Sequence, residues 1–460
     1  MATSRVEQTP APNGQAPRPT DRGQIGWIVA GSLAIGLVAA LLLPFAPFIP
    51  AGESAVTGAV LCGFALGWAM LAVLSARFTD QPQRWAAVPA LFMGLGGLLL
   101  ITFGSSAHRV LDWVWPPALL ALAIWMFVRV RRELRSRTGR WLLYPVIGLL
   151  ALAAIGGGYA TVGAAADARA YPMAGQLIDV GGHRLHLDCT GSGSPTVVLQ
   201  PGGGEMSSNM GWITPAVARN TRVCVYDRAG RGWSEPADTA QDGLQIAADL
   251  HTLLQRGGVP GPYVLAGHSF GGLYVLSYAA RYPGDVAGMV LIDCTDFTPT
   301  QAARTSSSAA GTYNVLRRLS ALASTWPRTG LARLYAPLEG SGLPPRSGGE
   351  VRANIAATTG LSSTIEEYVQ ANASGEEAAS LRTFDDKPLV VLTAGVGNDA
   401  KHSAAQDHLA TLSTNVAHRT IKDAAHEDLV ADQQAAAATT QAILDVLQAV
   451  KSHTPLQQGN

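Results

Sequence analysis

The stretch YVLAGHSFGGLYVLSYAARYP, residues 263–283, places one serine between glycines where a run of β-forming residues meets a helical pattern. Gly267 and Gly271 stand two residues before and two residues after Ser269. A strand-to-helix turn that holds a side chain clear of the backbone requires little bulk at these two positions. Because strand, turn and helix all occur in this order, the pattern predicts that Ser269 projects its Oγ from the end of a strand.

The sequence around this turn alternates strands with helices from residue 174 onward. Short, almost continuous apolar runs such as PTVVLQ, TRVCVYD, VAGMVLID and PLVVLTAG alternate with amphipathic segments such as GLQIAADLHTLLQRGG. This alternation is typical of a mostly parallel sheet whose two faces are covered by helices. We therefore predict an α/β fold for residues 174–450.

Three segments carry a resemblance to a known family. YDRAGRGWSEP, residues 226–236, is similar to the segment after the fourth strand of the α/β-hydrolase fold superfamily, GHSFGG to its nucleophile elbow and GMVLID to its sixth strand. The resemblance covers residues 175–450. It implies that Ser269 is a nucleophile, that an acid and a histidine follow it in the chain, and that residues 297–386 form a helical cap over the site.

A serine hydroxyl is a poor nucleophile unless a base removes its proton. The resemblance places that base in the loop after the last strand, which is DAAHEDLV here, and so predicts His426. Small residues before it, Ala424 and Ala425, leave the histidine room to reach the sheet edge. We expect His268 to have a packing role and His418, which lies within the predicted strand, to be packed or exposed.

The sequence offers several aspartates as candidates for the acid that orients the histidine. The usual position follows the seventh strand, where TAGVGNDAKHSAAQD offers Asp399 and, further along, Asp407. Some members of the superfamily take the acid from the end of the sixth strand, where Asp293 and Asp296 stand in LIDCTDF. We predict Asp399, with Asp293 or Asp296 as the alternative and Asp407 as the third choice.

The negative charge that develops during acyl transfer requires two N–H donors. The resemblance assigns one to the backbone of Phe270 and the other to Gly203, in the turn after VVLQ. Pro201 stands before this turn, at the position where the family usually has a histidine. The alternative to an oxyanion role is that the three glycines after Pro201 only make a flexible turn. No cofactor or metal motif occurs, so we expect neither group.

Four cysteines occur, Cys62, Cys189, Cys224 and Cys294, and their spacing fits no zinc pattern. Cys189 and Cys224 each lie on or beside a predicted strand. We predict that they are buried free thiols, with a pair that is oxidised outside the cytoplasm as the alternative.

The first 162 residues contain apolar runs that are long enough to cross a bilayer core of about 30 Å. We predict five transmembrane segments, at residues 25–46, 56–76, 86–104, 112–130 and 141–162. Residues 1–24 read as a disordered tail, residues 163–173 as a linker and residues 451–460 as a C-terminal tail. Small residues up to Ala170 also resemble a signal-peptidase site, although a linker is the simpler interpretation.

Arginine is distributed unevenly between the loops of this region. Residues 1–170 hold 13 Arg and 7 acidic residues, and the arginines concentrate in the N-terminal tail, in the second-to-third loop and, above all, in RVRRELRSRTGR. Arginine-rich short loops stay in the cytoplasm. We therefore predict a multi-pass protein of the cell membrane with a cytoplasmic N-terminus and an extracytoplasmic hydrolase domain. No basic surface typical of nucleic-acid binding is present.

Together these features predict a membrane-anchored serine hydrolase that cleaves an ester, or less readily an amide, of a small-molecule or lipid-like substrate. The alternative is a binding or sensory module that retains the fold without hydrolysis, because fold alone does not fix function.

The charge pattern makes a direct prediction about topology. A reporter that works only outside the cytoplasm should be active when fused after Asn460, and a cytoplasmic reporter should be active in the 131–140 loop. Reporter activity in intact cells measures both. A cytoplasmic C-terminus would contradict the predicted number of crossings.

Overall fold

The computed structural model describes residues 21–295 and 309–456 of the 460-residue chain. The chain divides into two compact units. One contains the residues up to Ile49 together with Gly58–Ala154, and the other contains Pro50–Thr57 together with the chain from Ile155 onward.

Long apolar helices make up the first region. They are α1 (Asp21–Leu42), α2 (Glu53–Phe78), α3 (Ala87–Glu133) and α4 (Arg137–Ala170). By length and composition, four helical segments of the described chain could cross a membrane: Ile25–Phe45, Glu53–Phe78, Arg84–Glu133 and Arg137–Ala170. The sequence predicted five, so the number of separate elements differs by one.

The difference arises in α3, which reverses direction at Gly104. This glycine has φ 55° and ψ −133°, a backbone conformation that is strained for residues with a Cβ. The rings of Phe92 and Trp115 stack with centroids 4.2 Å apart. In a straight helix, 23 residues would separate them by about 34 Å. The two halves of α3 therefore lie against each other, and they hold the predicted third and fourth segments.

The second unit contains one eight-stranded sheet, as the alternating pattern predicted. Its strands are β1 (Gln176–Asp179), β2 (Arg184–Thr190), β3 (Thr196–Gln200), β4 (Val223–Tyr226), β5 (Tyr263–His268), β6 (Val286–Ile292), β7 (Leu389–Ala394) and β8 (Val416–Ile421). Their order is β1-β2-β4-β3-β5-β6-β7-β8. The pairs β1–β2 and β2–β4 are antiparallel and all the others are parallel.

The helices of this unit cover both faces of the sheet and form the insertion between β6 and β7. They are α5 (Ile213–Val217), α6 (Gly243–Arg256), α7 (Phe270–Arg281), α8 (Ala309–Ala323), α9 (Ala332–Tyr335), α10 (Pro345–Ile355), α11 (Thr358–Val369), α12 (Ala371–Ala378), α13 (Ala400–Ala410), α14 (Asp428–Ala431) and α15 (Gln433–Ser452). Successive residues of β3 alternate between the two cores: Val198 packs with α6 and α7, whereas Val197 and Leu199 pack with α5 and α15. Burial on both faces explains why the three central residues of this strand are all apolar.

The register between β2 and β4 sets Cys189 opposite Cys224, and a disulfide joins the two residues. The prediction of free thiols at these two positions is therefore wrong, and the alternative, the oxidised pair, is the one that the structure contains.

The topology brings several loops to one edge of the sheet. The carboxyl ends of the parallel strands β3, β5, β6, β7 and β8 lie at this edge. Ser269 follows β5, Asp293 follows β6 and His426 follows β8. Helices α8 to α12 lie in the insertion between β6 and β7, where the cap was predicted. In open α/β sheets, ligands bind at this edge.

Candidate active site

Ser269 occupies the sharp turn between β5 and α7, with φ 54° and ψ −123°. The two glycines around it are required by close packing. A Cβ on Gly267 would overlap the carbonyl of Gly271, and a Cβ on Gly271 would overlap the carbonyl of Gln200. The serine is half-buried, and its Oγ lies 3.5 Å from the Oγ1 of Thr295. A non-glycine residue held at positive φ at such a turn is typical of a functional site.

His426 forms a close pair with Asp293. Its Nδ1 lies 2.6 Å from the Oδ2 of Asp293. The aspartate side chain is fully buried, whereas 36% of the histidine side chain is exposed. The structure thus brings together His426, the histidine predicted from the sequence, and Asp293, one of the alternative predictions for the acid.

The second carboxylate oxygen of Asp293 is also surrounded by donors. Oδ1 lies 2.9 Å from His402 Nε2, 3.0 Å from the N–H of Ala394 and 3.3 Å from Asn398 Nδ2. Burial alone would raise the pKa of Asp293, but the hydrogen bonds from His426, His402 and Ala394 outweigh it and lower the pKa to about 2. The site therefore holds a permanent negative charge behind His426.

Asp399, the acid that the sequence favoured, has a different position. It is the N-cap residue of α13, and its Oδ1 accepts a hydrogen bond from the N–H of His402 at 2.8 Å. Aspartate at a helix N-terminus satisfies an otherwise unpaired N–H, which explains its place just before α13. Asp407 lies 3.1 Å from His418 Nδ1, and Asp296 lies outside the described residues. The geometry therefore favours Asp293 over Asp399.

The turn after β3 lies beside the elbow. A Cβ on Gly202 would lie 3.1 Å from the Cβ of Ser269, and one on Gly203 would lie 3.0 Å from the Phe270 ring. The N–H of Gly202 donates to Glu205 and the N–H of Gly204 donates to Glu367.

Within residues 21–295 and 309–456, no hydrogen bond uses the N–H of Gly203 or that of Phe270. Phe270 begins α7, and the first N–H groups of a helix lack partners inside it. These two residues, the predicted oxyanion donors, are therefore close to each other and have N–H groups free to bind an anion.

A buried ion pair holds this turn in place. Arg228 donates from Nη1 to the Pro201 carbonyl at 2.7 Å and from Nη2 to the Gly202 carbonyl at 2.6 Å. Its Nε donates to Glu367 Oε1 at 2.7 Å, and each of the two side chains is only 3% exposed. Burial would raise the pKa of Glu367, but Arg228 and Arg231 outweigh it and lower the pKa.

The role of Arg228 was not predicted, although it lies inside YDRAGRGWSEP. Where the family usually has a histidine, this chain has Pro201, and the guanidinium of Arg228 supports the turn from the loop after β4. Glu367 belongs to α11, in the predicted cap insertion, so it could not be linked to this turn from the sequence.

His268, next to the serine, takes part in a second buried pair. Its Nδ1 lies 3.1 Å from Glu205 Oε2, and its Nε2 lies 3.2 Å from the carbonyl of His426. Both partners are acceptors, so both ring nitrogens donate and the ring is an imidazolium. Burial opposes this charge, but Glu205 raises the pKa of His268 to about 9, and the pKa of Glu205 is lowered to about 2.

Glu205, His268 and Glu427 are also close enough to hold a metal ion, since their ligand atoms lie within 4.8 Å of one another. A ligating histidine must offer a lone pair. Both nitrogens of His268 are engaged as donors, so this cluster fits a buried ion pair better than a metal centre.

Comparison with known proteins agrees with this architecture. A model of the alpha/beta hydrolase fold family matches residues 195–432, which is more than half of the chain. An uncharacterised protein of Schizosaccharomyces pombe is 34% identical over 141 residues, which cover 24% of this chain and 26% of that protein. A 2-hydroxy-6-oxo-2,4-heptadienoate hydrolase of Pseudomonas putida is 29% identical over 126 residues, 26% of this chain and 44% of that protein.

The chain thus spans less than half of the length of these curated relatives. Among solved structures, a thermophilic esterase from Thermogutta terrifontis is similar over 60% of this chain and 99% of its own, with 21% identity and a TM-score of 0.46. The family match includes the strand β3, the elbow at Ser269 and the loop of His426. The chain belongs to the alpha/beta hydrolase fold family.

Proposed function

We propose that the protein is a membrane-anchored serine hydrolase that cleaves a carboxylic ester, or less readily an amide, through an acyl-enzyme. The observation that carries the proposal is the pair of His426 with the buried Asp293, at the same sheet edge as the strained turn of Ser269. Relatives that are named as hydrolases support the general reaction class but not the substrate.

In the proposed mechanism, Ser269 Oγ attacks the acyl carbon while His426 removes its proton. Because Nδ1 of His426 bonds Asp293, Nε2 is the nitrogen that takes the proton and later delivers it to the leaving group. The N–H groups of Gly203 and Phe270 stabilise the tetrahedral oxyanion. A water molecule, activated by the same histidine, then releases the acid from Ser269.

Asp293 is the acid of this mechanism, in place of Asp399. A carboxylate stabilises the imidazolium that forms on His426 only if it remains ionised. Its low pKa and its direct contact with His426 Nδ1 meet this requirement. His402, which donates to the other oxygen, is a positioning residue for the carboxylate.

The proposed location outside the cytoplasm has support that is independent of the arginine pattern. The disulfide Cys189–Cys224 lies in the sheet of the hydrolase domain. Disulfides persist in oxidising compartments and are rare in the cytosol. The four apolar helices that precede the domain supply the anchor.

The first prediction concerns the nucleophile. Ser269→Ala should abolish labelling by a fluorophosphonate probe, because only an activated serine attacks the phosphorus atom. Labelling of purified full-length protein, followed by gel fluorescence, measures this. Ser380→Ala, at an exposed serine in the same domain, is the matched control and should label normally. A folded wild-type protein without Ser269-dependent labelling would favour the alternative, a non-catalytic binding module.

The second prediction decides between the two aspartates. Asp293→Asn should lower kcat by up to about 10⁴-fold, the loss that the equivalent change causes in a serine protease, because the amide cannot stabilise the imidazolium. Asp399→Asn should keep near-normal turnover and near-normal stability, since asparagine is as good an N-cap as aspartate.

Steady-state turnover of a chromogenic ester and thermal unfolding of both variants measure these effects. The opposite pattern, with Asp399→Asn inactive and Asp293→Asn active, would restore the original assignment from the sequence.

The third prediction concerns the support of the oxyanion turn. Glu367→Gln keeps the shape but removes the charge that pairs with Arg228, so the turn at Pro201 and Gly202 is no longer held as firmly. We expect kcat to fall by about 10- to 100-fold with a smaller change in KM, because misplacement by an ångström costs about that much. Glu376→Gln, at an exposed glutamate on α12, is the control. Unchanged kcat in a folded Glu367→Gln protein would show that the pair does not position the turn.

A further inference from the structure

Part of the predicted cap exposes large apolar side chains. Residues 326–338 fold into three short helical turns, Trp326–Thr329, α9 and Ala336–Leu338. Between 40% and 79% of each of five apolar residues is exposed on this segment, and we refer to the five together as the cap rim: Trp326, Leu331, Leu334, Tyr335 and Leu338. Clusters of exposed apolar residues mark sites of interaction with proteins or membranes.

The segment that carries the cap rim packs on the C-terminal part of α4. A Cβ on Gly156 would overlap the carbonyl of Thr329, and one on Gly330 would lie 3.1 Å from the Tyr159 ring. Closer to the end of α4, Arg333 Nη2 bonds Asp167 Oδ2 at 2.7 Å. Small residues and an ion pair therefore hold the segment along α4.

The same segment is attached to the beginning of another apolar helix. Arg328 Nε bonds Glu53 Oε1 at 2.8 Å, and Glu53 is the first residue of α2. The arginine pattern places the start of α2 and the end of α4 on the same, extracytoplasmic side of the membrane. The segment of residues 326–338 is thus attached to the end of α4 and to the start of α2, and both of these helix ends are predicted to lie on the extracytoplasmic side.

The contact at Gly156 sets the depth of the segment along α4. Gly156 lies six residues before residue 162, the predicted end of the last transmembrane segment. At about 1.5 Å per residue, this corresponds to about 9 Å along the helix. Exposed apolar residues on this part of α4, Ile155, Tyr159 and Val162, occupy the same level. Helices that lie in a membrane interface bury their apolar face about 5–10 Å into the boundary between headgroups and acyl chains, and tryptophan and tyrosine are enriched there. A depth of about 9 Å is within this range.

We propose that the cap rim inserts into the outer interfacial layer of the bilayer and that the active site takes a lipophilic ester directly from it. The cap insertion also reaches the site, since the ring of Tyr368 on α11 lies 5.1 Å from that of Phe270 and Glu367 holds the oxyanion turn. One insertion therefore joins the bilayer surface to the reacting groups. The statement about substrate rests on the proposed function, whereas the contact with the bilayer does not.

The contact is tested by fluorescence quenching in full-length protein reconstituted into phosphatidylcholine vesicles. A nitrobenzoxadiazole dye is attached to Leu334→Cys, and nitroxide groups are carried near the headgroup end of the lipid chains. Leu244→Cys, on α6, replaces a leucine that is 41% exposed and is the matched control. The unsubstituted chain, which contains Cys62 and Cys294, measures background labelling. We expect at least threefold stronger quenching at residue 334 than at residue 244. Equal quenching would overturn the contact.

The route of the substrate is tested with two esters. Leu334→Glu combined with Leu338→Glu should lower kcat/KM at least tenfold for a long-chain umbelliferyl ester dissolved in the vesicles, because charged side chains are expelled from the interface. It should leave kcat/KM unchanged for a short-chain, water-soluble ester. Leu244→Glu should change neither value. An equal loss for both esters, or a loss for neither, would overturn the route.

The two proposals fail in different ways. Absence of Ser269-dependent fluorophosphonate labelling would overturn the hydrolase, and quenching at residue 334 would still measure contact of the cap rim with lipid. Normal labelling without selective quenching at residue 334 would overturn the cap-rim proposal alone.

Discussion

The buried carboxylate of Asp293 is the constraint on which the arrangement of the site depends. It accepts hydrogen bonds from two histidines and one backbone N–H, and these bonds keep it charged in a place where burial would neutralise it. An unpaired charge at this depth would be very costly. The loops after β6 and β8, the end of β7 and the first turn of α13 therefore converge on one carboxylate, and that convergence fixes His426 at the sheet edge.

Two further buried ion pairs hold the turn after β3 from opposite sides. Arg228 and Glu367 bind its carbonyls and one of its N–H groups, and Glu205, paired with His268, binds the N–H of Gly202.

In the pair of Glu205 and His268, the pKa of His268 is raised to about 9, so its contribution to stability is complete below its ordinary pKa of 6.5 and is lost as the pH rises through about 9. The pKa of Glu205 is lowered to about 2, so its contribution is present above its ordinary pKa of 4.5 and is lost as the pH falls through about 2. Both contributions are therefore complete between the two ordinary pKa values, 4.5 and 6.5, and the turn is held most firmly in that pH range.

The sequence was informative wherever the chemistry required a local pattern. Gly267 and Gly271 predicted the turn at Ser269, because a Cβ atom at either position would overlap a backbone carbonyl. Almost continuous apolar strands predicted the mostly parallel sheet that is covered on both faces. It was less informative about the acid. Asp293 and Asp399 stand after adjacent strands, and only the three-dimensional positions of His402 and His426 distinguish the carboxylate that contacts His426 from the one that caps a helix. The number of apolar helices also differed from the prediction, because the non-helical backbone at Gly104 folds α3 back on itself and its two halves were predicted as separate segments.

Contacts between residues that are far apart in the chain could not be predicted from the sequence. Glu367 lies 139 residues from Arg228, and neither residue belongs to a motif that indicates the other. The same is true of Arg328 and Glu53, which are 275 residues apart. Such pairs require two side chains of matching charge and a fold that brings them together, and only the first condition is visible in a sequence. These long-range pairs connect the insertion between β6 and β7 to the turn after β3, through Glu367, and to Glu53, the first residue of α2. The turn after β3 is therefore held by a residue from an insertion that lies more than a hundred positions further along the chain.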